Sequence, residues 1–239
     1  MDSLDITNTV LHKFADSVKA DKKITAILEK VKKGTATQRD IADYADLLGQ
    51  HASDALDGYV DYKNFSETKE AIQRLLKSNY LSVNGQAILQ LRSEDLKKGL
   101  DIVIREADDF RTDAFVGKLS NLTENQFNQE MTEGVKTTTR QYYDDFQKTN
   151  AALREELGYD EAIVRIYDDV GLRDGTQVCQ FCKSLEGTYD YKTAKQEGAF
   201  RRHEGCGCHI ELITPSGIKT QTQWYKTKDT KGNQWTDNG

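Results

Sequence analysis

The residues of this chain best suited to chemistry are Cys179, Cys182, His203, Cys206 and Cys208, which include all four cysteines present. Two residues separate Cys179 from Cys182, so one tight turn can aim both sulfurs at a single point. His203 and Cys206 repeat that spacing from a second segment. Thiolate and imidazole donors at these intervals are the sequence form of a tetrahedral zinc site, and this donor set suits zinc better than a redox or hydrolytic metal. A filled Cys/Cys/His/Cys shell leaves no position for water or substrate, so such a metal staples two segments together and does no chemistry. The expected ligands are Cys179, Cys182 and His203, with either Cys206 or Cys208 as the fourth.

Other readings of the same residues are weaker. Two disulfides would need an oxidising compartment, and the opening MDSLDITN has neither the basic nor the apolar region of a secretory signal. Unpaired reduced thiols would leave the spacing unexplained. His209 is a poorer fourth ligand. If Cys208 opens a strand, alternation sends it and Ile210 to one side and His209 to the other, which is expected to face solvent. His209-Ile-Glu211 matches the H-x-E of zinc deaminases, but here the C-x-x-C precedes it and lacks the preceding proline. A nuclease finger would need a second histidine beside the metal as base, and His12 and His51 lie far off in helical sequence. No enzymatic activity and no small-molecule substrate are therefore expected.

Composition limits the architecture that positions these residues. The chain has 239 residues, 30% of them charged, and a single proline, Pro215. So few helix breakers permit long helices through the first two thirds. A net charge of −6 argues against a general nucleic-acid binder. No apolar run approaches the ~20 residues that cross a bilayer, so no membrane association is expected.

Apolar residues recur every four in Ile6, Val10, Phe14 and Val18, which predicts a helix from Asp5 to Asp21. Ile24, Ile27, Leu28 and Val31 predict a second before Gly34, and Ile41, Tyr44, Leu48, Ala52, Ala55 and Tyr59 a third from about Thr37. His51 on that helix reads as a packed side chain rather than a ligand. Asn64 and Glu67 have capping-box spacing ahead of a short helix carrying Ile72, Leu75 and Leu76. Asn84-Gly85 could turn a hairpin, although the residues after it favour a helix start. Leu96, Leu100, Val103, Ala107, Phe110 and Ala114 keep one face apolar for about five turns. The charges among them, from Glu94 and Asp95 to Arg111, read as a solvated surface, and Asp108-Asp109 as no metal site.

Thr123 and Gln126 form another capping box, opening a helix that reaches Leu157 before Gly158. Met131, Tyr142 and Leu153 in it are eleven apart, as are Val135, Phe146 and Leu157. That period, about 3.67 residues per turn, keeps one stripe along a nearly straight rod. Gly134 with Thr137, Thr138 and Thr139 is its weak point, where a bend is expected. Residues 162–167 then read as a strand, Asp168 to Gly175 as a loop into the Cys179 turn, and residues 208–213 as a returning strand. The fold expected is mainly α with a small zinc-stapled β element at the C-terminal end, an α+β arrangement. Its parts are a helical N-terminal region (1–122), a long helix (123–158), a zinc-binding β subdomain (159–213) and a polar tail (214–239). The tail carries Trp224, Tyr225 and Trp235 and would order by docking on a partner.

A long amphipathic helix, a strand, an Asp-containing loop, C-x-x-C running into Leu185-Glu186-Gly187, then H-x-x-C-x-C leading into an apolar strand resembles the C-terminal half of phage minor head proteins. These form the Mu F-like, or head-morphogenesis, family of tailed phages and prophages. The similarity covers about residues 123–213. Where the family usually has proline, or a basic residue between the last two cysteines, this chain has Gln180, Arg202, Glu204 and Gly207; the ligand pattern is kept. The resemblance implies a low-copy minor capsid protein with structural Zn2+, acting near the portal in head assembly, DNA packaging or ejection. It would lie inside the virion head, and in the host cytoplasm during assembly. Portal or major capsid protein would be its partner, with weak DNA contact through Arg201-Arg202 and the tail. The alternative is a zinc-ribbon adaptor that binds nucleic acid or protein.

Overall fold

The computed structural model describes residues 3–167, 180–203 and 206–214. The elements in order are α1 (Ser3–Ala20), α2 (Lys22–Lys32), α3 (Gln38–Leu56), α4 (Phe65–Lys97), α5 (Arg111–Leu119), α6 (Glu124–Glu156), β1 (Ala162–Ile166), α7 (Gln180–Ser184), β2 (Gly187–Tyr189), α8 (Tyr191–Glu197) and β3 (His209–Ile213). The fold is mainly helical, with a small antiparallel sheet near the C-terminal end. The loop after Tyr167, Cys179 and the tail from Pro215 onward lie outside the described residues.

The first helices form where their patterns and caps place them. Ile6, Val10 and Phe14 line the buried side of α1. Asp21 accepts from the backbone N–H groups of Lys23 and Ile24 at 2.7 and 3.2 Å, satisfying donors that the first turn of α2 leaves free. His51 packs half-buried, its Nε2 2.9 Å from the other oxygen of Asp21. Thr37 opens α3 with a capping box closed by Asp40. Helices α3, α4 and α6 pack on one another, and α1 covers α3 and α4. Ile41, Leu48, Ile72, Leu75 and Phe146 in that core are at most 2% exposed.

Helix α4 departs from the expected short helix. It runs unbroken for 33 residues through Asn84-Gly85, because Asn84 is buried and its amide donates back to Tyr80 O at 3.1 Å. It stops where Gly99 takes a left-handed φ of +71°, which lets Leu100 N–H return to Asp95 O at 2.9 Å. Residues 100–110 therefore do not continue the helix that Leu96, Val103 and Phe110 suggested; those three side chains are exposed. The stretch is an irregular strap, held from both sides. The Asn150 side-chain amide pairs with the N–H and C=O of Arg105, both at 2.9 Å, and Tyr80 Oη donates to Ala107 O at 2.6 Å.

Gln126 closes the N-terminus of α6, its amide oxygen accepting from Thr123 N–H at 3.1 Å and the Thr123 hydroxyl at 2.8 Å. The helix remains continuous past Gly134. That glycine is there for space, since a Cβ would come within 2.6 Å of both Phe115 and Glu130. Met131, Val135, Tyr142, Phe146 and Leu153 are all buried along the stripe.

In the sheet, β1 is central, with β2 and β3 antiparallel to either side. Ile163 pairs with Leu212 and Arg165 with Ile210, so these four share a face. Ile163, Ile210 and Leu212 pack with Ala151 of α6, Ala194 of α8 and Ala199. The outer edge of β3 is sealed by helix side chains instead of a further strand. Gln38 accepts from Leu212 N–H at 2.7 Å and donates to Leu212 O at 2.6 Å, Gln147 reaches Ile210 O at 3.5 Å, and Arg140 donates to Cys208 O at 3.2 Å. An edge covered in this way cannot recruit another chain. Among the described residues, no helix is long and apolar enough to cross a membrane.

Candidate metal centre

Two short segments bring the cysteines and histidine together. The single turn of α7 presents Cys182, which is 2% exposed. The other segment begins where α8 ends at Gly198, whose φ of +76° reverses the chain. It leads through Ala199, which is packed against the sheet, to His203. Cys206 N–H donates to His203 O at 3.3 Å, which sets Cys206 beside it. Cys182 Sγ lies 2.9 Å from His203 Nε2 and 3.4 Å from Cys206 Sγ. The three donor atoms all fall within 4.8 Å of one another, a grouping that can hold a metal ion. Phe181 sets its ring edge against His203, with centroids 6.0 Å apart.

Of the other ligand candidates, Cys179 lies outside the described residues. Cys208 is fully buried behind the cluster and hydrogen-bonds the Cys206 thiol; Cys206 is the one whose sulfur joins Cys182 and His203. His209 does point to the opposite side of β3, but the expectation that it faces solvent is corrected, for it is 4% exposed. Helix α3 covers that side, and the His209 ring sits between Arg39, 2.8 Å from Nδ1, and Glu211, 3.3 Å from Nε2.

Around the donors stands a shell of buried arginine. Arg202 forms a two-pronged ion pair with Asp144 of α6, and its remaining nitrogen donates to Cys206 O at 3.1 Å and approaches Cys206 Sγ at 3.6 Å. Arg165 donates to Ala199 O at 2.6 Å and approaches the same sulfur at 3.7 Å. The Cys208 hydrogen bond, aided by the Arg202 charge and by Cys182 against the opposing effect of burial, holds the Cys206 thiol down at about 4. A thiol so placed is a thiolate at neutral pH, the form that binds metal. Asp144 holds Arg202 charged despite its burial. Such outer-shell partners orient first-shell ligands and balance their charge.

Sequence reasoning missed this shell. One signal was present, since alternation along residues 162–166 puts Arg165 on the same side as Ile163, and an arginine at an inward strand position needs a partner. Arg202, expected at a DNA contact, has a side chain only 1% exposed that faces Asp144, leaving Arg201 as the exposed member of that pair.

A second buried network ties the module to the helices. Arg154 pairs with Asp95 at 2.5 Å and Glu161 at 3.2 Å, and donates to Thr214 Oγ1 at 2.5 Å. Asp95, expected at a solvated surface, is 2% exposed. Burial pushes both carboxyls above their usual values, with Arg154 opposing the rise.

The described centre thus has three soft donors of metal-binding type, a charge-balancing shell and firm attachment to α6. No family model, curated protein or solved structure matches the chain, so the geometry alone speaks for its chemistry.

Proposed function

We propose that the chain is a structural component of a tailed-phage head, a minor capsid protein acting near the portal, whose Cys182, His203 and Cys206 hold a structural zinc. The fourth ligand comes from Cys179 or Cys208. Tetrahedral zinc at ~2.3 Å from sulfur and ~2.0 Å from nitrogen sets its ligands about 3.5–3.8 Å apart. The observed separations of 2.9 and 3.4 Å need only a small expansion to admit the ion. The metal acts as a staple and not as a catalyst, because four protein ligands leave no site for water.

The observation that carries this reading is the unit formed by α6, β1, the Cys182 turn and the Cys206 segment that runs into β3. Cluster and sheet are fastened to one long helix through Arg202–Asp144 and Arg154–Glu161, in the chain order on which the resemblance to head-morphogenesis proteins rests. Peptide mass spectrometry of gradient-purified virions tests it. The protein is expected in the particle at low copy, and retained with portal or capsid protein in about 0.5 M salt, which screens phosphate contacts but spares apolar ones. Absence from particles that hold portal and DNA overturns the assignment in favour of an adaptor. Elemental analysis of protein purified without added metal should give one zinc per chain.

A further inference from the structure

The outward face of α6 forms the floor of a groove whose walls are α5 on one side and α8 with the chain after it on the other. Gly134, Thr137, Thr138, Gln141, Asp145 and Lys148 succeed one another along this floor at helical spacing. Two neighbouring clefts make up the groove, of about 270 and 460 Å³, and share Arg111, Gln141 and Arg202 in their linings. In the larger, Arg111 is neutralised by Asp145, and Arg202 by Asp144 behind it. Lys148, Lys195 and Arg201 also line it, and among the described residues no carboxylate lies within ion-pair distance of these three. Lys195 and Arg201 are exposed and Lys148 is partly so. Three uncompensated cations around one groove stand out on a chain of net charge −6.

Two aromatic rings stand along the same track. Phe200 lines the larger cleft and is only partly buried. Phe110 lines the smaller, is 56% exposed, and has the Arg111 guanidinium 5.0 Å from its ring centroid. A polar floor carrying the Gln141 amide, free cations on the walls and partly exposed aromatic rings make up an arrangement that tracks a nucleic-acid backbone and stacks its bases. An acidic protein segment would use the cations but would leave the rings without a planar partner.

We propose that this groove binds a single nucleic-acid strand, with Lys148, Lys195 and Arg201 on phosphates and Phe200 and Phe110 as stacking platforms. The groove stands independently of the head-protein reading, which virion content decides separately.

The test is fluorescence-anisotropy titration of the full chain with a labelled thymidine 30-mer at a series of salt concentrations. With about three phosphates neutralised, log K should fall with log salt at a slope near −2. The triple variant K148S/K195S/R201Q should lose at least tenfold in affinity at low salt, with the slope moving towards zero. Phe200→Ala should lose about fivefold or more with the slope unchanged, because stacking releases no counterions. A control triple with equal charge loss on the distant helices α2 and α4, K23S/K69S/K77S, should bind like the parent. Circular dichroism confirms that each variant is folded. Equal weakening by the two triples, or no weakening by the groove triple, overturns the site. If poly-glutamate of matching length competes as well as the oligonucleotide, and Phe200→Ala has no effect, the groove is a carboxylate site and the nucleic-acid assignment is overturned.

Discussion

Between α1 and α6 the helices enclose Val10, Ile41, Leu48, Ile72, Leu75 and Phe146 in one continuous apolar core. The sheet gathers only Ile163, Ile210 and Leu212 of its own, against the alanines Ala151, Ala194 and Ala199. Each large side chain buried in the helical body contributes about 1.5–3 kcal/mol, so that body has ample means to hold itself. The β module has too little apolar area to fold alone. What it has is polar attachment: Arg202 on Asp144, Arg154 on Glu161 and Thr214, Arg140 on Cys208 O, Gln38 on both backbone groups of Leu212, and the Cys/His cluster. A region short of hydrophobic surface is placed by directional contacts. Such contacts fix position well but are costly to break from one side.

Removing the metal ligands should break this comparison open most widely. Cys182→Ser and His203→Ala, or a strong chelator on the parent protein, should abolish hydrogen-exchange protection across residues 180–214 and leave the helices protected. The expected effect is the largest because structural zinc supplies on the order of 10 kcal/mol in small modules. Equal loss of protection across residues 3–150 would show that the helical core depends on the staple, and the contrast between the regions would fall.

Arg154→Ala should come next. It leaves Asp95 and Glu161 buried without their cation, a loss of about 3–5 kcal/mol at pH 7, read as a lower urea midpoint. Both carboxyls already have raised values in the fold. A raised carboxyl stabilises the fold in its protonated form, below the unfolded value, and that contribution is lost as pH rises through the folded value. The deficit of Arg154→Ala should therefore shrink towards pH 4. A deficit independent of pH would mean that Arg154 acts by packing alone.

How far the chain is legible from its residues alone divides along the same line. The helical body was legible because its signals are local: the four-residue apolar spacing of α1, the Thr37 start, the Thr123–Gln126 box, and the eleven-residue stripe of α6. The spacing of Cys182, His203 and Cys206 was legible for the same reason. What escaped was decided at long range. The strap at residues 100–110 carries a helical period, but Gly99 ends the helix and Asn150, 45 positions from Arg105, supplies the hydrogen bonds an extended chain needs. Asp95 looks like surface charge until Arg154 arrives from 59 residues away, and no periodicity announces that Arg165 and Arg202 will meet at one sulfur.

Two glycines sharpen the reading of the helical body by opposite signs. Gly134→Ala gains helix propensity but drives a Cβ to 2.6 Å from Phe115, and overpacking of this kind costs about 1–3 kcal/mol. Net destabilisation is expected from thermal or urea unfolding. Gly85→Ala meets nothing within 4 Å and should stabilise α4 by about 0.5–1 kcal/mol. The same sign for both would show that close packing of α5 against α6 does not set the requirement at Gly134.

The smallest effect tests whether polar anchoring also operates within the helical body. The Asp21 carboxyl is lowered below its usual value, first by its hydrogen bond to His51 and further by the N–H groups it caps, against a small opposing effect of burial. A depressed carboxyl contributes stability above its unfolded value of 3.8, and that contribution is lost as pH falls through the lower folded value. Asp21→Asn keeps a competent helix cap while removing the charge, so it should flatten the acid limb without unfolding α2 at neutral pH. Acid also strips metal from thiolate and imidazole ligands, so global unfolding would confuse the two losses. Hydrogen exchange of residues 22–32 separates them, because α2 packs on α1, α3 and α4, away from the metal ligands. Protection there should fall between pH 6 and pH 3 in the parent, and by clearly less in Asp21→Asn. An identical fall in both proteins would show that the Asp21–His51 contact contributes nothing to holding α2, and that polar anchors matter only where the core is thin.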